Sequence, residues 1–401
     1  MKYSLMRVYF DYNATTPALQ EVTEAVAVAT RDLFGNPSSV HYYGQQAKAA
    51  VDRARSEIAG LIGAEPSEIV FTSGGTESDN FAIRGACEAL EATARRHLVA
   101  SAIEHEAVLN TLKALARRGW RTTLVPVDQS GIVSLDRLRE AVTADTALVS
   151  LMHANNEIGT IQPVEGAAAI AHERGALLHT DAVQSAGKIE ANVGALGVDL
   201  LTLSAHKFNG PKGAGALWIR RGTRMMPLLT GGKHERNRRA GTENVPAIVG
   251  MGVAARLASQ KIPAEAARVG ALRDRLEAGI LATVPGTAVN GDPSRRVPNT
   301  TNISFTHVEA ESLLIALDLQ GIAVSTGSAC SSGTLEPSHV LRAMGHSAHR
   351  TQNALRFSLG SFSTTEEVDR VLAVLPGVVQ KLRDVAGRSV AQTDRDAIGR
   401  G

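Results

Sequence analysis

The feature that most constrains the fold is an alternation of short apolar runs and longer helical patterns between residues 66 and 220. The runs are rich in β-branched residues and leucine, and such alternation is typical of a mostly parallel sheet covered by helices. The pattern therefore predicts an α/β fold, with strands at 69–72, 97–101, 122–127, 147–152, 176–180, 199–204 and 215–219.

The segments on either side of this region have different sequence patterns. Residues 17–30 and 45–63 read as helices, and a helical stretch over about 245–283 is followed by a turn-rich segment. Short strand patterns then alternate with one more helix, which indicates a smaller α/β domain. A chain of 401 residues is long enough for two domains. Residues 388–401 lack apolar periodicity and are expected to form an irregular tail.

The composition of the chain limits the classes of molecule that it is expected to bind. The chain has 42 basic and 40 acidic residues and a formal charge of +2, which argues against general attraction to nucleic acid or to an anionic membrane. The N-terminal sequence has no apolar h-region, and the longest uncharged stretch is shorter than a membrane span. We therefore expect a soluble, cytoplasmic protein whose partners are small molecules or specific proteins. Two cysteines, Cys87 and Cys330, are too few for a disulfide framework.

Polar or glycine-rich residues follow five of the predicted strands directly. In open α/β sheets, ligands bind outside the carboxyl ends of the strands, so these segments should converge on one site. They are SGGTES (73–78), IEHEAV (103–108), HANNEIG (153–159), DAVQ (181–184) and AHK (205–207).

The segment SGGTES opens a predicted helix, with Thr76 and Asp79 spaced as a capping box. A helix N-terminus that glycines leave open is an anion site, and phosphate is a natural ligand; an ordinary capped helix remains the alternative. Lys207 lies just beyond a strand, in a glycine-rich loop. A lysine there suits a Schiff base with a pyridoxal cofactor, and Asp181 supplies an acid for the pyridine nitrogen. The alternative is an ordinary solvated lysine.

His105 also follows a strand, where an imidazole suits stacking on a cofactor ring and proton transfer. Asn156 and Gln184 are positioned to give neutral hydrogen bonds to substrate or cofactor. Cys330 lies among small residues in a predicted loop, which favours a reactive thiol. Cys87, in a helical pattern, reads as a packing or surface residue.

Two other features have simpler explanations. The histidines His339, His346 and His349 match no zinc pattern with Cys330, so we expect no permanent metal site. The basic run over 233–244 reads by default as a solvated loop, and its alternative role is to present donors to a phosphate on a facing subunit.

The ordered motifs together resemble the cysteine desulfurases, members of the class-V aminotransferase-like, fold-type I pyridoxal-phosphate enzymes. The resemblance covers nearly the whole chain and is carried by FDYNATTP (10–17), FGNPSS, FTSGGTESDN, EHEAV, ANNEIG, HTDAVQ, SAHK, GPKGAGALW, RRAGTEN, STGSACSSGTLEPSHVLRAMG and RFSLG.

This resemblance implies a homodimer with a large domain at 16–260 and a small domain formed by 1–15 and 261–401, which carries the Cys330 loop. The expected cofactor is pyridoxal 5′-phosphate, bound by Lys207, which also removes the α-proton of the substrate, while His105 stacks on the ring. Further roles carried over by motif are Asp181 at the pyridine nitrogen, Gln184 at the phenolic oxygen, Gly75, Thr76, Ser204 and His206 at the phosphate, Thr242 at the phosphate of the other subunit, and Asn156 and Arg356 at the substrate carboxylate.

The reaction implied is transfer of sulfur from L-cysteine to Cys330, leaving a persulfide and releasing L-alanine. The expected acceptor is an iron–sulfur scaffold protein, and Cys330 is also a candidate transient ligand of a cluster. RRAGTEN and HTDAVQ favour the nitrogen-fixation form over the housekeeping form. The sequence departs from the family at Ala205, where glycine is usual, at Lys233, which interrupts a glycine run, and in its C-terminal tail.

Other functions remain open on the sequence. A selenocysteine lyase or a transaminase-like enzyme would keep the cofactor and change the reaction, and transamination requires no thiol. A binding protein on an enzyme fold is the non-catalytic alternative, since fold does not fix function.

Overall fold

The computed structural model describes residues 7–327 and 337–398, with side chains through residue 387. Twelve strands occur in these ranges. In chain order they are β1 (Val8–Tyr9), β2 (Ile69–Thr72), β3 (His97–Ser101), β4 (Arg121–Val125), β5 (Thr146–Ser150), β6 (Leu177–Asp181), β7 (Leu200–Ser204), β8 (Gly215–Ile219), β9 (Thr287–Asn290), β10 (Thr300–Phe305), β11 (Ile322–Ala323) and β12 (Ala354–Ser358).

Helices cover the strands and link them, and their ends follow local sequence rules. The second helix, for example, ends at Gly63 in the left-handed conformation that glycine adopts without strain. The helices are α1 (Gln20–Asp32), α2 (Tyr42–Ile62), α3 (Gly75–Ala89), α4 (Glu106–Ala116), α5 (Leu135–Ala141), α6 (Val164–Glu173), α7 (Val193–Leu196), α8 (Val245–Ser259), α9 (Ile262–Thr283), α10 (Ala310–Asp318), α11 (His339–Ala343), α12 (Ala348–Gln352) and α13 (Thr365–Ile398).

The central sheet has seven strands in the order β2-β8-β7-β6-β5-β3-β4. Strands β4, β3, β5, β6 and β7 are parallel, and β8 runs antiparallel to both of its neighbours. All seven predicted strands are present, each shifted by no more than two residues at either end. The predicted α/β fold with a mostly parallel sheet is confirmed.

The C-terminal part contains a three-stranded antiparallel sheet, β12-β10-β9, and a two-stranded parallel sheet in which β1 pairs with β11. Val8 and Phe10 of the N-terminal segment are buried in one apolar cluster with residues between Val269 and Val379. The largest cluster of the rest of the chain spans Val22 to Ala255. This separation supports the two domains, whose boundaries stay a prediction.

Two expectations need correction. The helical stretch over 245–283 is two helices, α8 and α9, and Pro263 lies in the first turn of the second, where its missing N–H costs nothing. The irregular tail was wrong, because α13 continues to Ile398. Residues 388–398 contain no glycine or proline, so no residue there stops a helix that has already formed. Within the described ranges, every helix is too short or too polar to cross a membrane.

Candidate active site

The five strand-end segments meet at one cavity of about 440 Å³, as the sequence predicted. This volume is within the range of small-molecule sites. Because β2, β3, β5, β6 and β7 end at the same edge of the sheet, the residues that follow them share one pocket. The predicted site residues that line it are Gly75, Thr76, His105, Asn156, Asp181, Gln184, Ser204, His206, Lys207 and Arg356.

Lys207 ends a single 3₁₀ turn, Ala205–Lys207, that directly follows β7. Its Nζ donates hydrogen bonds to the backbone oxygens of Asn13 at 2.5 Å and Ala14 at 2.9 Å. Burial and the nearby Arg356 lower the pKa of Lys207 to about 8, although Asp181 and Asp11 oppose this effect. A substantial fraction of this amine is therefore unprotonated and nucleophilic near neutral pH.

Ala205, where the family usually has glycine, is fully buried and is not among the residues with positive φ. Its Cβ therefore causes no left-handed strain beside Lys207. The departure is accommodated by the backbone that the structure adopts.

Asp181 is the last residue of β6, and its carboxylate faces the cavity. The backbone N–H of Val183 donates to Oδ1 at 2.8 Å. Burial raises the pKa of Asp181, while His105, this backbone hydrogen bond and Lys207 lower it. Asp181 thus has cationic or ionisable partners on the cavity side that favour its charged form.

Two further buried acids, Asp79 and Glu104, lie close to Asp181, and Asp79 also lines the cavity. Burial and the charge of Asp181 raise the pKa of Asp79. Burial likewise raises the pKa of Glu104 to about 8. Burial raises the pKa of all three carboxyls, and Asp181 differs from the other two in that His105 and Lys207 oppose this effect.

The phosphate-type site differs in detail from its prediction. Helix α3 begins at Gly75, its N-cap is Gly74, and no side chain caps it. The capping box of Thr76 and Asp79 was therefore wrong, because Thr76 already lies in the first turn and Asp79 is buried. The cavity is lined by Gly75 and Thr76, so the unpaired N–H groups of the first turn face the side where an anion would bind.

The side chains that complete this end of the cavity are Ser204 and His206. His206 Nδ1 lies 3.1 Å from Thr15 Oγ1, and burial followed by Lys207 lowers its pKa to about 4. The imidazole is therefore neutral near pH 7, and it presents a neutral hydrogen-bonding group rather than a charge.

His105 is the N-cap of α4, and its Nδ1 accepts a hydrogen bond from the backbone N–H of Ala107 at 3.1 Å. A ring nitrogen that accepts carries no hydrogen, so the neutral ring has its proton on Nε2. The helix start therefore fixes both the orientation and the tautomer of this side chain.

Arg356, on β12, is 4% exposed and makes two hydrogen bonds through its terminal nitrogens. Nη2 donates to Asp11 Oδ1 at 2.7 Å, and Nη1 donates to the backbone oxygen of Asn156 at 2.8 Å. Nε is buried without a hydrogen-bond partner among the described residues. Sequence reasoning missed Asp11, and Asn13 beside it, because they precede the sheet; their only signal was membership of the FDYNATTP motif.

Two predicted residues are not described as part of this cavity. Thr242 is exposed and is not among the residues that line the pocket. Cys330 lies outside the described residues. The residues that flank its segment do lie at the cavity, since Gly327 and His339 both line it.

The other candidates for chemistry are the histidines near Cys330 and the second cysteine, Cys87. Among the residues that the structure describes, no three His, Cys, Asp or Glu side chains are grouped so that they could hold a metal ion. Cys87 is buried, and burial raises its pKa to about 12. Its predicted packing role is confirmed.

Comparisons with known proteins give one consistent result. The family model described as aminotransferase class-V matches residues 8–371. The chain is 49% identical over 379 residues to "Cysteine desulfurase IscS" of Dictyoglomus turgidum, covering 94% of this chain and 96% of that protein. It is 47% identical over 380 residues to "Cysteine desulfurase NifS" of Azotobacter vinelandii, covering 94% of each. A solved structure named "NIFS-LIKE PROTEIN" matches with a TM-score of 0.88 and 40% identity, covering 94% of this chain and all of that one.

Proposed function

Because this chain belongs to the cysteine desulfurase family of the class-V aminotransferases, we propose that it removes sulfur from L-cysteine, leaving L-alanine and a persulfide on Cys330. The product sulfur would supply iron–sulfur cluster assembly. The observation that carries the proposal is the pairing, across one cavity, of the low-pKa amine of Lys207 with the buried carboxylate of Asp181.

Enzymes of this family use pyridoxal 5′-phosphate, and the residues present fit that group. The open N-terminus of α3 with Ser204 suits a phosphate, Asp181 suits a pyridine nitrogen, and Lys207 suits an aldehyde. When bound, the cofactor supplies an electron sink for the pair of electrons left when the α-proton of the substrate is removed.

The roles of the side chains follow from their chemistry. Lys207, with a pKa of about 8, is suited to accept the α-proton near neutral pH. His105 presents an Nε2–H toward the cavity, which suits proton transfer at the substrate. Arg356 suits the substrate carboxylate, and the backbone oxygen of Asn156 and the carboxylate of Asp11 orient its guanidinium.

The proposed role of Cys330 is supported by the short stretch of chain that separates it from the cavity. Cys330 is three residues beyond Gly327, which lines the cavity. Successive Cα atoms are about 3.8 Å apart, so the two Cα atoms cannot be separated by more than about 11 Å. A thiol so tethered is within reach of a sulfur atom held in the cavity, and the resulting persulfide is the form in which sulfur would be passed on.

Several finer points stay predictions. These are the homodimer in which Thr242 reaches the phosphate of the other subunit, the scaffold acceptor, the transient cluster at Cys330, and the cytoplasmic location. The nitrogen-fixation leaning also stays a prediction, because relatives named IscS and NifS match at 49% and 47% identity.

The test is mass spectrometry of the cofactor-loaded protein after turnover of L-cysteine, looking for one added sulfur on the Cys330 peptide. In a second assay that contains a dithiol to reduce the persulfide to sulfide, Cys330→Ser should release no sulfide above background, whereas the matched control Cys87→Ser should behave as wild type. A Cys330→Ser variant that releases sulfide at the wild-type rate contradicts the assignment, and a transaminase-type reaction that survives this change would identify a different activity.

A further inference from the structure

Lys188 is a largely buried lysine that the proposed reaction does not use. It is not among the residues that line the main cavity. Instead it lines a separate pocket of about 50 Å³, where Lys207 also contributes. A buried amine this close to the active lysine requires an explanation from its contacts, because an unpaired ammonium would be strongly destabilising there.

Lys188 belongs to a closed triangle of hydrogen bonds. Its Nζ donates to Gln184 Oε1 at 2.8 Å and to Asn13 Oδ1 at 3.2 Å. Gln184 Nε2 in turn donates to the backbone oxygen of Asn13 at 3.0 Å. The same backbone oxygen accepts from Lys207 Nζ at 2.5 Å, so the triangle touches the active lysine directly.

This triangle fixes which end of the Gln184 amide faces which neighbour. A lysine side chain can only donate in this arrangement, so the carbonyl end of the amide is held toward Lys188. If the amide were turned over, its N–H would face the N–H donor of Lys188, and its oxygen would face the backbone oxygen of Asn13. The second hydrogen of Nε2 has no acceptor in the part of the chain that the structure describes, and Gln184 lines the main cavity.

We propose that Lys188 is a positioning residue that holds the Gln184 amide with its N–H donor, and not its oxygen, available to the phenolic oxygen of the bound cofactor. The inference rests on the proposed function and on the family resemblance, which implies that Gln184 lies at that oxygen. An ionised phenolic oxygen accepts hydrogen bonds, and an amide oxygen in the same place would repel it.

The surroundings of Lys188 are those of a buried cationic cluster. Burial, and then the positive charges of Lys207 and Arg356, lower its pKa well below the usual range. Its two hydrogen-bond acceptors, Gln184 Oε1 and Asn13 Oδ1, each receive one N–H of Lys188. The orientation of the amide therefore rests on these two contacts.

The experiment is a double-mutant cycle on the cofactor-loaded enzyme without substrate. Lys188→Met, Gln184→Leu and the double variant are titrated with pH, and the midpoint is read from the visible absorption band of the Lys207-bound cofactor. Losing an N–H donor leaves the phenolic oxygen more basic, so it holds the shared proton more firmly and the midpoint rises. We expect a rise of about one pH unit, the size of one hydrogen bond to a charged group.

The cycle separates positioning from a direct charge effect. If Lys188 acts through Gln184, the double variant has the same midpoint as Gln184→Leu alone. The proposal would be overturned if the midpoint shifts of the two single variants add in the double variant, or if the midpoint of Lys188→Met equals that of wild type. The control is Lys113→Met, which replaces an exposed lysine on α4 and should leave the midpoint unchanged.

Two precautions keep the outcome interpretable. Should Lys188→Met not fold, Lys188→Ala introduces no new contact and carries the same expectation. A wild-type protein that shows no visible band with pyridoxal phosphate contradicts the proposed function itself, whereas a normal band with an unshifted Lys188 variant contradicts only the positioning role.

Discussion

The lowered pKa of Lys207 makes a quantitative prediction about how fast the chain takes up its cofactor. A lysine with a pKa of about 8 is about one-tenth free amine at pH 7, whereas an ordinary lysine is free to roughly one part in 2,500. At equal intrinsic reactivity, Lys207 should therefore react about 200-fold faster than a solvated lysine at this pH. The difference has a structural origin, because burial in the cavity wall disfavours the ammonium form and Arg356 adds repulsion.

The assay is the rate at which the cofactor-free enzyme gains the visible band when pyridoxal phosphate is added, measured from pH 6 to 10. The same series with Nα-acetyllysine corrects for the titration of free pyridoxal phosphate. After this correction, the rate should rise about tenfold per pH unit below pH 7 and level off above about pH 8.5. A rate that continues to rise tenfold per unit up to pH 10 would refute a lowered pKa.

A variant tests the cause of the shift. In Arg356→Gln the repulsion from the guanidinium is gone while burial remains, so the plateau should begin at a higher pH than in wild type. A plateau at the same or a lower pH would show that Arg356 does not contribute.

Two further predictions concern buried charges. Glu235 forms a bidentate ion pair with Arg55, at 2.7 and 2.8 Å, so Glu235→Ala leaves this arginine buried without its anion. Urea unfolding should show that the free energy of unfolding falls by about 3–5 kcal/mol and that most of it is recovered in the double variant Arg55→Met/Glu235→Met. An unchanged stability of Glu235→Ala would contradict the argument. Glu104 has a pKa raised to about 8, so the folded state binds its proton more tightly than the unfolded state, and stability is lost as the pH rises from about 4.5 through 8. Glu104→Gln should remove that loss of stability in unfolding measurements at pH 6 and 9, because its NH₂ can occupy the site of Oε2, which lacks a hydrogen-bond partner. If the stability of both proteins depends equally on pH, Glu104 is not the source of the loss.

The sequence predicted the central sheet well because six of its seven strands, all but the edge strand β4, are buried almost throughout and read as nearly continuous apolar runs. Each such run also ends where polar residues begin, so the cavity could be predicted before any family was considered. Lys207 and His105 stand three and four residues beyond the ends of β7 and β3, and Asp181 is the last residue of β6, which is why they were found.

Other parts of the site could not be read from strand ends. Asp11 and Asn13 belong to the N-terminal segment, whose strand β1 pairs with β11, a contact between residues more than 300 positions apart. Asn13 lines the cavity, and Asp11 accepts a hydrogen bond from Arg356. Lys188 was missed for a different reason, since an isolated lysine after a strand carries no pattern, and only its two acceptors distinguish it from a solvated one. The helix start at Gly75 was misplaced because the spacing of Thr76 and Asp79 matches a capping box that the backbone does not form.

The backbone around Arg356 connects the proposed substrate-binding arginine with the chain segment that leads to Cys330, the proposed nucleophile. Arg356 N donates to Ser325 O at 2.7 Å, and Ser325 N donates to Arg356 O at 3.2 Å, so these two residues form an antiparallel bridge. The side chain of the same arginine is held by Asp11 in the N-terminal segment. A substrate carboxylate bound at Arg356 would therefore lie at a distance from Ser325 that the backbone sets. Since Cys330 follows Ser325 by five residues, the proposed substrate anchor is joined by two backbone hydrogen bonds to a residue close in sequence to the proposed nucleophile.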